Sequence, residues 1–446
     1  MAQKSNEYYS SREAYILNNK TKRGEKMTSK ERVIKALNHE QTDRVPLDLG
    51  ATSCTGIHAA ALEKMRCKLG LPQKEIFVYE TLQQLGWVDF DVLNALQADV
   101  VGLMPYTNFV GNKNNTNKFV DYRIPHGGTG KCLESFKYVE KDGELYAYPQ
   151  GDMTVPPSIH MPKDGYFFDN INRSKTTLDD YGEAKEEFAE SFAVISDEEA
   201  EFYKKQADDL TQNTDYALVS NCAFAGFGDA AFMPGASQKQ VKGIRTLEEW
   251  YMIHKIDPDY VFDLFDLQYE VAIKSLEKLK QAVGNRIQAI FISGTDFGTQ
   301  AGLMISKEDF RTFYKPYYEK INRWIHENTN WKAMYHSCGS IVELLDDFVE
   351  MGVDVLNPVQ CSAAGMDPTY LKEKYGDKLT FWGGGIDTQK VLPFGTPNEC
   401  REMTRERLRI FSKNGGYVFN TIHNIQGNTP IDNLIAMFDE VKNFKL

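Results

Sequence analysis

The chain has 446 residues, 42% of them hydrophobic and 26% charged, which excludes wholesale disorder and a single minimal domain. Its formal net charge of −12 disfavours nucleic acid and anionic membranes as partners. There is no run of about 18 apolar residues to span a bilayer and no apolar signal core at the start, and the seven cysteines are scattered. A cytoplasmic protein with free thiols is therefore expected.

The predicted helices begin after residue 26. Residues 1–26 are polar and lack periodicity, which predicts an N-terminal arm, or a piece upstream of the true start at Met27, ahead of one folded unit at residues 27–446. The longest helix is predicted to begin at Asp257 and to end before Gly284. Other helix starts are indicated by a Ser or Thr followed three residues later by an acidic residue: Thr28/Glu31, Ser196/Glu199, Thr246/Glu249, Ser306/Asp309, Ser340/Glu343 and Thr396/Glu399.

Short apolar runs with strand character lie between these helices. Alternation of buried strands with helices predicts a parallel sheet, and eight strands favour an α/β fold of the (β/α)₈ TIM-barrel type over an open sheet. The predicted strands are Val45–Leu49, Asp99–Leu103, Tyr216–Ser220, Ile287–Ile292, Trp331–Tyr335, Val353–Leu356, Leu379–Trp382 and Tyr417–Asn420.

One long segment interrupts this alternation. Residues 109–195 are rich in Gly, Asn, Pro, Asp and aromatic residues and contain short alternating stretches. The sequence around Asp142-Gly143 is typical of a hairpin turn. These features predict a β-rich insertion in one barrel loop, which either covers the active site or serves as an oligomer-forming flap.

Polar residues at the predicted strand ends are candidates for the chemistry, because a barrel's active site lies where its strands end. His336 and Cys338 follow the strand Trp331–Tyr335 and lie two residues apart, so in an extended chain their side chains point the same way. An imidazole and a thiolate together suit Zn²⁺. The alternative is a hydrogen-bonded histidine beside an inert thiol.

A zinc site needs a third ligand, and His423 at a later strand end is the first candidate. Cys361, one strand closer, is the competitor. Cys222 could also face the site, whereas Cys400 lies in a predicted helix and is expected to pack in the core. Asp296 fits three roles: a general acid or base, a partner of a metal-bound histidine, or a helix cap.

Four segments resemble the uroporphyrinogen decarboxylase superfamily: TSKERVIKALNHEQTDRVPLDLG, SKEDFRTFYKPYYEKINRWIHE, HSCGSIVELLDDFVEMGVDVLNPVQ and GGYVFNTIHNIQGNTPIDNLIAM. The resemblance extends from about residue 27 to the end, apart from residues 109–195, and implies a (β/α)₈ barrel. True decarboxylases hold their substrate's carboxylates with an arginine-rich loop after the first strand. Residues 50–56 occupy that place without an arginine, and the decarboxylase tyrosine falls at Phe232, so porphyrinogen decarboxylation is not expected.

The chain is more similar to the corrinoid-linked methyltransferase branch, whose histidine-x-cysteine-glycine motif is matched by His336, Cys338 and Gly339. The branch's third zinc ligand is commonly a cysteine before a threonine-proline helix start, where this chain has His423. The resemblance implies a Zn²⁺-dependent transfer of a methyl group between a small substrate and the cobalt of a corrinoid (cobalamin). A methoxylated substrate is expected. The chain has no Asp-x-His-x-x-Gly motif, so the corrinoid is expected on a separate partner protein.

The remaining strand-end residues receive expected roles within this hypothesis. Asp296 and Gln300 are expected to be catalytic, orienting the substrate or protonating the leaving oxygen. Two other functions stay open: a metal-independent decarboxylase or lyase for a small carboxylic acid, and a non-catalytic binding subunit. The direction of transfer and homo-oligomer formation also stay open. Substrate contacts are expected from Gln360, Cys361, Asp387 and Asn420.

Overall fold

The computed structural model describes residues 27–446 except Asn117 and Ala223, so the predicted N-terminal arm lies outside the described residues. Within this range the chain forms an α/β fold with three β-sheets. None of its described helices combines the length and apolar character that crossing a bilayer requires.

Fifteen strands are described, and they are numbered in chain order. They are β1 (Phe77–Glu80), β2 (Leu85–Gly86), β3 (Val100–Leu103), β4 (Phe119–Arg123), β5 (Thr129–Leu133), β6 (Tyr138–Lys141), β7 (Glu144–Ala147), β8 (Ile159–Met161), β9 (Asp169–Asn170), β10 (Ala217–Asn221), β11 (Ala289–Ser293), β12 (Lys332–His336), β13 (Val355–Asn357), β14 (Thr380–Trp382) and β15 (Tyr417–Val418).

The α-helices of the described residues lie mainly between the barrel strands. They are Ser29–Leu37, Ala59–Lys68, Phe90–Leu96, Ala184–Glu187, Asp197–Asn213, Leu247–Ile256, Pro258–Val283, Lys307–Asp309, Lys315–Asn328, Leu345–Glu350, Pro368–Tyr375, Val391–Phe394, Pro397–Phe411 and Ile431–Asn443. A π-helical turn, Phe310–Tyr314, joins two of them.

Seven strands form one parallel sheet in the order β15-β14-β13-β12-β11-β10-β3. The predicted strand Val45–Leu49 closes the gap between its edges. Leu47 forms a parallel bridge with Phe419, beyond β15, and its carbonyl accepts the Asp99 amide, next to β3, at 2.7 Å. The predicted TIM-type barrel is confirmed, although its first strand is reduced to a single bridge pair.

Apolar side chains fill the barrel interior. The helix Ser29–Leu37 covers the end at which the strands begin, where its Lys30 amide donates to the Asp215 carbonyl just before β10. The carboxyl ends of the strands form the opposite end, called the barrel mouth below. The interior cluster comprises Val33, Ala36, Leu37, Ala51, Val100, Ala217, Val219, Ala289, Phe291, Met334, Val355, Trp382 and Val418.

The predicted insertion is β-rich as expected. Its strands belong to two four-stranded sheets, ordered β2-β1-β5-β4 and β6-β7-β8-β9. Asp142 and Gly143 connect β6 to β7 with φ angles of 57° and 85°, both in the left-handed region that a two-residue hairpin of this type requires. The hairpin turn is confirmed.

Most predicted helix starts are confirmed by their caps. Thr28/Glu31 and Thr396/Glu399 form reciprocal capping boxes, and Asp257 caps the helix Pro258–Val283. The start at Ser340/Glu343 is wrong. The Ser340 hydroxyl donates to the Ala364 carbonyl instead, and a 3₁₀ turn, Val342–Leu344, leads into the helix Leu345–Glu350.

Candidate metal centre

His336 is the last residue of β12, and its orientation is fixed by Asn357, the last residue of β13. The Asn357 side-chain Nδ2 donates to the Trp382 carbonyl at 2.8 Å, which turns its Oδ1 toward His336 Nδ1 at 2.6 Å. The imidazole therefore donates through Nδ1, and Nε2 keeps its lone pair. Burial lowers the pKa of His336 to about 4, so the ring is neutral at physiological pH, the form that binds metals.

Cys338 lies on the turn that follows β12, with its Sγ 3.2 Å from His336 Nε2. Two hydrogen bonds hold this turn: the Cys338 amide donates to Asp296 Oδ1 at 2.6 Å, and the Gly339 amide donates to Gln360 Oε1 at 2.7 Å. Gly339 has a φ of 87°, and a Cβ there would lie 2.3 Å from the Gly298 backbone. Only glycine fits, so the turn that aims Cys338 is built into the backbone.

His423 follows β15 and approaches His336 from the other side, with 5.6 Å between the two ring centroids. Burial, together with the neighbouring His336, lowers the pKa of His423 to about 4. Both imidazoles are therefore neutral and available as nitrogen ligands above that pH.

Cys54 joins this cluster, although no motif or spacing marked it as a ligand. Within the described residues, two groups have metal-binding atoms that lie within 4.8 Å of one another. One consists of Cys54, His336 and His423, and the other of Asp296, His336 and Cys338. The predicted set of His336, Cys338 and His423 takes members from both groups, with His336 shared.

The two predicted catalytic residues occupy different surroundings. Asp296 lies 3.9 Å from His336 Nε2 through its Oδ1 and is only partly exposed. Its desolvation raises the pKa of the Asp296 carboxyl above its usual value. Gln300 is exposed, and its backbone carbonyl accepts the Ala364 amide; of the two residues, Asp296 is the one whose side chain lies beside His336.

Three of the four predicted substrate contacts hold the backbone of the barrel mouth. Gln360 binds the Gly339 amide as described, and Asn420 Nδ2 donates to the Asp48 carbonyl at 2.9 Å. Asp387 Oδ1 accepts the amides of Gln389 and Lys390 and so caps a turn. These polar atoms are already paired within the protein.

Cys361, the competing third ligand, belongs to neither metal-binding group of the described residues. Burial raises the pKa of its thiol to about 12, and the charges nearest to it include Arg407, on the helix Pro397–Phe411. It therefore faces the outer layer of the barrel. Cys222 bonds to the Ser220 hydroxyl at 2.8 Å and lines a separate cavity.

That cavity has a volume of about 240 Å³ and lies between the loop after β10 and the helix Pro258–Val283. Asp229 reaches from this cavity toward the strand end that leads to Asp296. Asp229 lines the cavity, and its Oδ2 would lie 3.2 Å from a Cβ on Gly294, just beyond β11. An engineered cavity of about 150 Å³ holds benzene, so this one accommodates a small ring compound.

Asp229 and Glu80 are functional candidates that the sequence analysis missed. Both are buried, and desolvation raises the pKa of each, that of Asp229 to about 7. Asp229 followed a recognised strand, Tyr216–Ser220, in a segment where only Cys222 was considered, so a strand-end signal existed. Glu80 lies at the end of β1, outside the predicted barrel strands, and no such signal marked it.

The chain is similar to proteins of one known family. The family model described as uroporphyrinogen decarboxylase (URO-D) matches residues 218–444. Uroporphyrinogen decarboxylases from three strains of Coxiella burnetii are each 29% identical over 90 residues, which is 19% of this chain and 24% of the relative. The match thus spans about a quarter of these curated relatives.

A solved structure extends the likeness across the chain. A methyltransferase from Methanosarcina mazei superposes with a TM-score of 0.53 at 17% identity, covering 94% of this chain and 99% of that protein. At this identity the likeness concerns the fold.

Proposed function

We propose a function from one premise: this chain belongs to the uroporphyrinogen decarboxylase family, whose model matches just over half of it. The protein is a zinc-dependent methyltransferase. It moves a methyl group between a small methoxylated substrate and the cobalt of a corrinoid carried by a separate protein. The observation that carries this proposal is the convergence of His336, Cys338, His423 and Cys54 at the barrel mouth.

The donor set fits Zn²⁺. Neutral imidazoles and thiolates are the ligands that this borderline-soft ion takes in proteins, and binding releases the proton of each thiol. The Asn357 contact supplies the second hydrogen bond that metal-binding histidines usually make. Bound there, Zn²⁺ would polarise the oxygen that leaves the methyl group and so lower the barrier to transfer.

Proton transfer to that leaving oxygen is assigned to Asp229. With its pKa raised to about 7, part of the Asp229 population carries a proton at neutral pH. Asp229 also borders both the cavity and the strand end that leads to Asp296. A substrate ring in the cavity would therefore have an acid beside it.

Decarboxylation of a porphyrinogen fits this mouth poorly. A substrate with many carboxylates needs cations around it. The loop at residues 50–56 contains no Lys or Arg, and the charges acting on its Cys54 are those of Asp296, Asp229 and Glu80. With these acidic groups beside it and no cation of its own, the loop offers such a polyanion no favourable partner.

The test combines metal analysis with a transfer assay. The full chain is purified without chelators, its zinc is quantified, and it is mixed with reduced corrinoid protein and a panel of methoxylated compounds. Spectroscopic formation of the methylated corrinoid that requires this chain and its zinc is expected. A metal-free protein that releases CO₂ from a carboxylic acid instead would overturn the proposal.

A further inference from the structure

The loop at residues 50–56 brings a second thiol to the barrel mouth. The ligand atoms of Cys54, His336 and His423 all lie within 4.8 Å of one another, a closer association than the predicted set of His336, Cys338 and His423 forms. We propose that Cys54 is a ligand of the zinc ion, an assignment that rests on the proposed function.

The first support is that the segment carrying His423 also holds the Cys54 loop. Asn424 Oδ1 accepts the Gly56 amide at 2.6 Å, and its Nδ2 donates to the Ser53 carbonyl at 2.7 Å. Asn420, on the other side of His423, donates to the carbonyls of Asp48 and Thr55 at 2.9 and 3.3 Å. Residues on both sides of His423 thus fix the loop, so the two ligands are positioned relative to each other before an ion arrives.

The loop itself is also tightly ordered. The Cys54 amide donates to Thr52 Oγ1 at 3.2 Å, and the Thr52 amide donates to Thr55 Oγ1 at 3.0 Å. The Gly50 amide donates to the Thr55 carbonyl at 2.7 Å. These bonds close a compact turn with Cys54 within it, and the thiol stays half-buried at the mouth.

The second support is chemical. With His336, Cys338 and His423 alone the ion would have one thiolate among its ligands. Cys54 and Cys338 together with His336 and His423 make a Cys₂His₂ set, a donor combination that proteins use for zinc, and the substrate oxygen would enter as a fifth ligand, a number that catalytic zinc reaches in transition states. Cys54 thus adds a second thiolate from a different part of the chain.

X-ray absorption at the zinc edge tests the assignment by counting sulfur ligands. The full chain loaded with zinc should show two sulfurs, at about 2.3 Å. Cys54→Ala and Cys54→Ser should each show one, with zinc affinity at least ~10-fold lower, the smallest loss seen when even an outer partner of a metal ligand is removed. Cys222→Ala is the matched control, because that thiol is half-buried but lies outside both metal-binding groups, and it should keep two sulfurs.

The possible results distinguish a failure of the Cys54 assignment from a failure of the proposed function. One sulfur in the unmodified protein, with sulfur count and affinity unchanged in Cys54→Ser, overturns the role of Cys54 and leaves zinc on Cys338. A protein that binds no zinc overturns both proposals. The sulfur count of the unmodified protein decides the matter even where a variant fails to fold.

Discussion

The two halves of the chain contribute differently to the barrel mouth. Residues 218–444, which the family model matches, contain β11 to β15 and the residues Asp296, His336, Cys338 and His423. Residues 27–217 supply β3, the closing segment Val45–Leu49, the loop with Cys54 and the β-rich insertion. The half that matches the family holds most of the donors, together with Phe232, and the other half holds the loop without Lys or Arg at residues 50–56.

This contrast indicates where specificity resides. The loop at residues 50–56 carries a thiol and no Lys or Arg, and the insertion supplies one four-stranded sheet and two strands of another. Yet the halves are not independent, because Asn420 and Asn424 bind the Cys54 loop directly. We expect the matched half to determine whether metal binds and the other half to modulate what the bound metal does.

The largest effect on metal binding by the matched half is expected from the substitution His336→Ala. Both metal-binding groups contain His336, so its loss removes a ligand whichever set operates. We expect stoichiometric zinc to disappear, with affinity down at least ~100-fold, beyond the range for outer partners of a ligand. Equilibrium dialysis against zinc measures the effect.

His326→Ala is the matched control for this change. His326 is an exposed histidine that bonds to Asp354 at 2.7 Å, away from both groups. It should bind zinc as the unmodified chain does. Full zinc occupancy in His336→Ala would contradict the assignment of the centre.

The pH dependence of stability tests how the halves are joined, at His58. Nδ1 of this buried histidine accepts the Ala60 amide at 3.1 Å. Its Nε2 lies 3.0 Å from the Tyr166 carbonyl of the insertion, and its backbone amide donates to the Ile425 carbonyl in the matched half. Burial lowers the pKa of His58 to about 4, with His126 and Lys64 as the charged neighbours. Protonation would break the Nδ1 contact.

The sign follows from the two states. Above pH ~6.5 the imidazole is neutral in both the folded and the unfolded chain. The stabilisation that its neutral-form contacts give to the folded chain is then fully present. As pH falls toward about 4 the unfolded chain binds the proton first, and up to ~3 kcal/mol is lost. Urea unfolding of the unmodified chain and His58→Gln should show a difference that shrinks over this range. A pH-independent difference would mean that His58 does not titrate as a junction residue.

Asn357→Leu tests the support of the metal centre from within the matched half. Without Oδ1 the His336 ring loses the contact that keeps Nε2 unprotonated and aimed at Cys338. Zinc affinity should fall ~10- to 100-fold, the effect typical of outer partners. Asn357→Asp keeps an acceptor for Nδ1 and should retain most of the affinity; an equal loss in both variants would point to disturbed packing at Trp382 instead.

Sequence patterns predicted the barrel well because its signals are local. Apolar runs and capping pairs lie within a few residues, and the structure reproduces β10 to β14 at nearly the predicted positions. Ser340 failed because a local pair cannot reveal that its hydroxyl binds Ala364 from another loop. The predicted strand Val45–Leu49 is reduced to one bridge pair for a similar reason. Its pairing joins Leu47, near the start of the chain, to Phe419, near the end.

The site was predicted only where a motif placed its residues together. His336 and Cys338 lie two residues apart, so one strand end identifies both. Cys54 meets them only through barrel closure, which no spacing rule encodes. Asn420 and Gln360 were recognised as mouth residues, but their partners are backbone groups that appear only in three dimensions.

The smallest expected effect comes from two matched helix caps, one in each half. Thr28 caps the helix Ser29–Leu37, accepting the Glu31 amide at 3.2 Å, and Thr396 caps the helix Pro397–Phe411, accepting the Glu399 amide at 3.3 Å. Both are capping boxes. Replacing either threonine by alanine should cost ~1 kcal/mol of the free energy of unfolding.

The informative result is which transition each variant moves. The helix Ser29–Leu37 packs against β3 from its own half and against β10 and β15 of the main sheet, so the barrel should unfold as one cooperative unit. Thr28→Ala and Thr396→Ala should then shift the same single urea transition by similar amounts, without changing its slope. If each variant shifted a separate transition, the halves would be folding units of their own. The unfolding of either half would then break the bonds between the Cys54 loop and Asn420 and Asn424, and Cys54 could not be held beside His423 under those conditions.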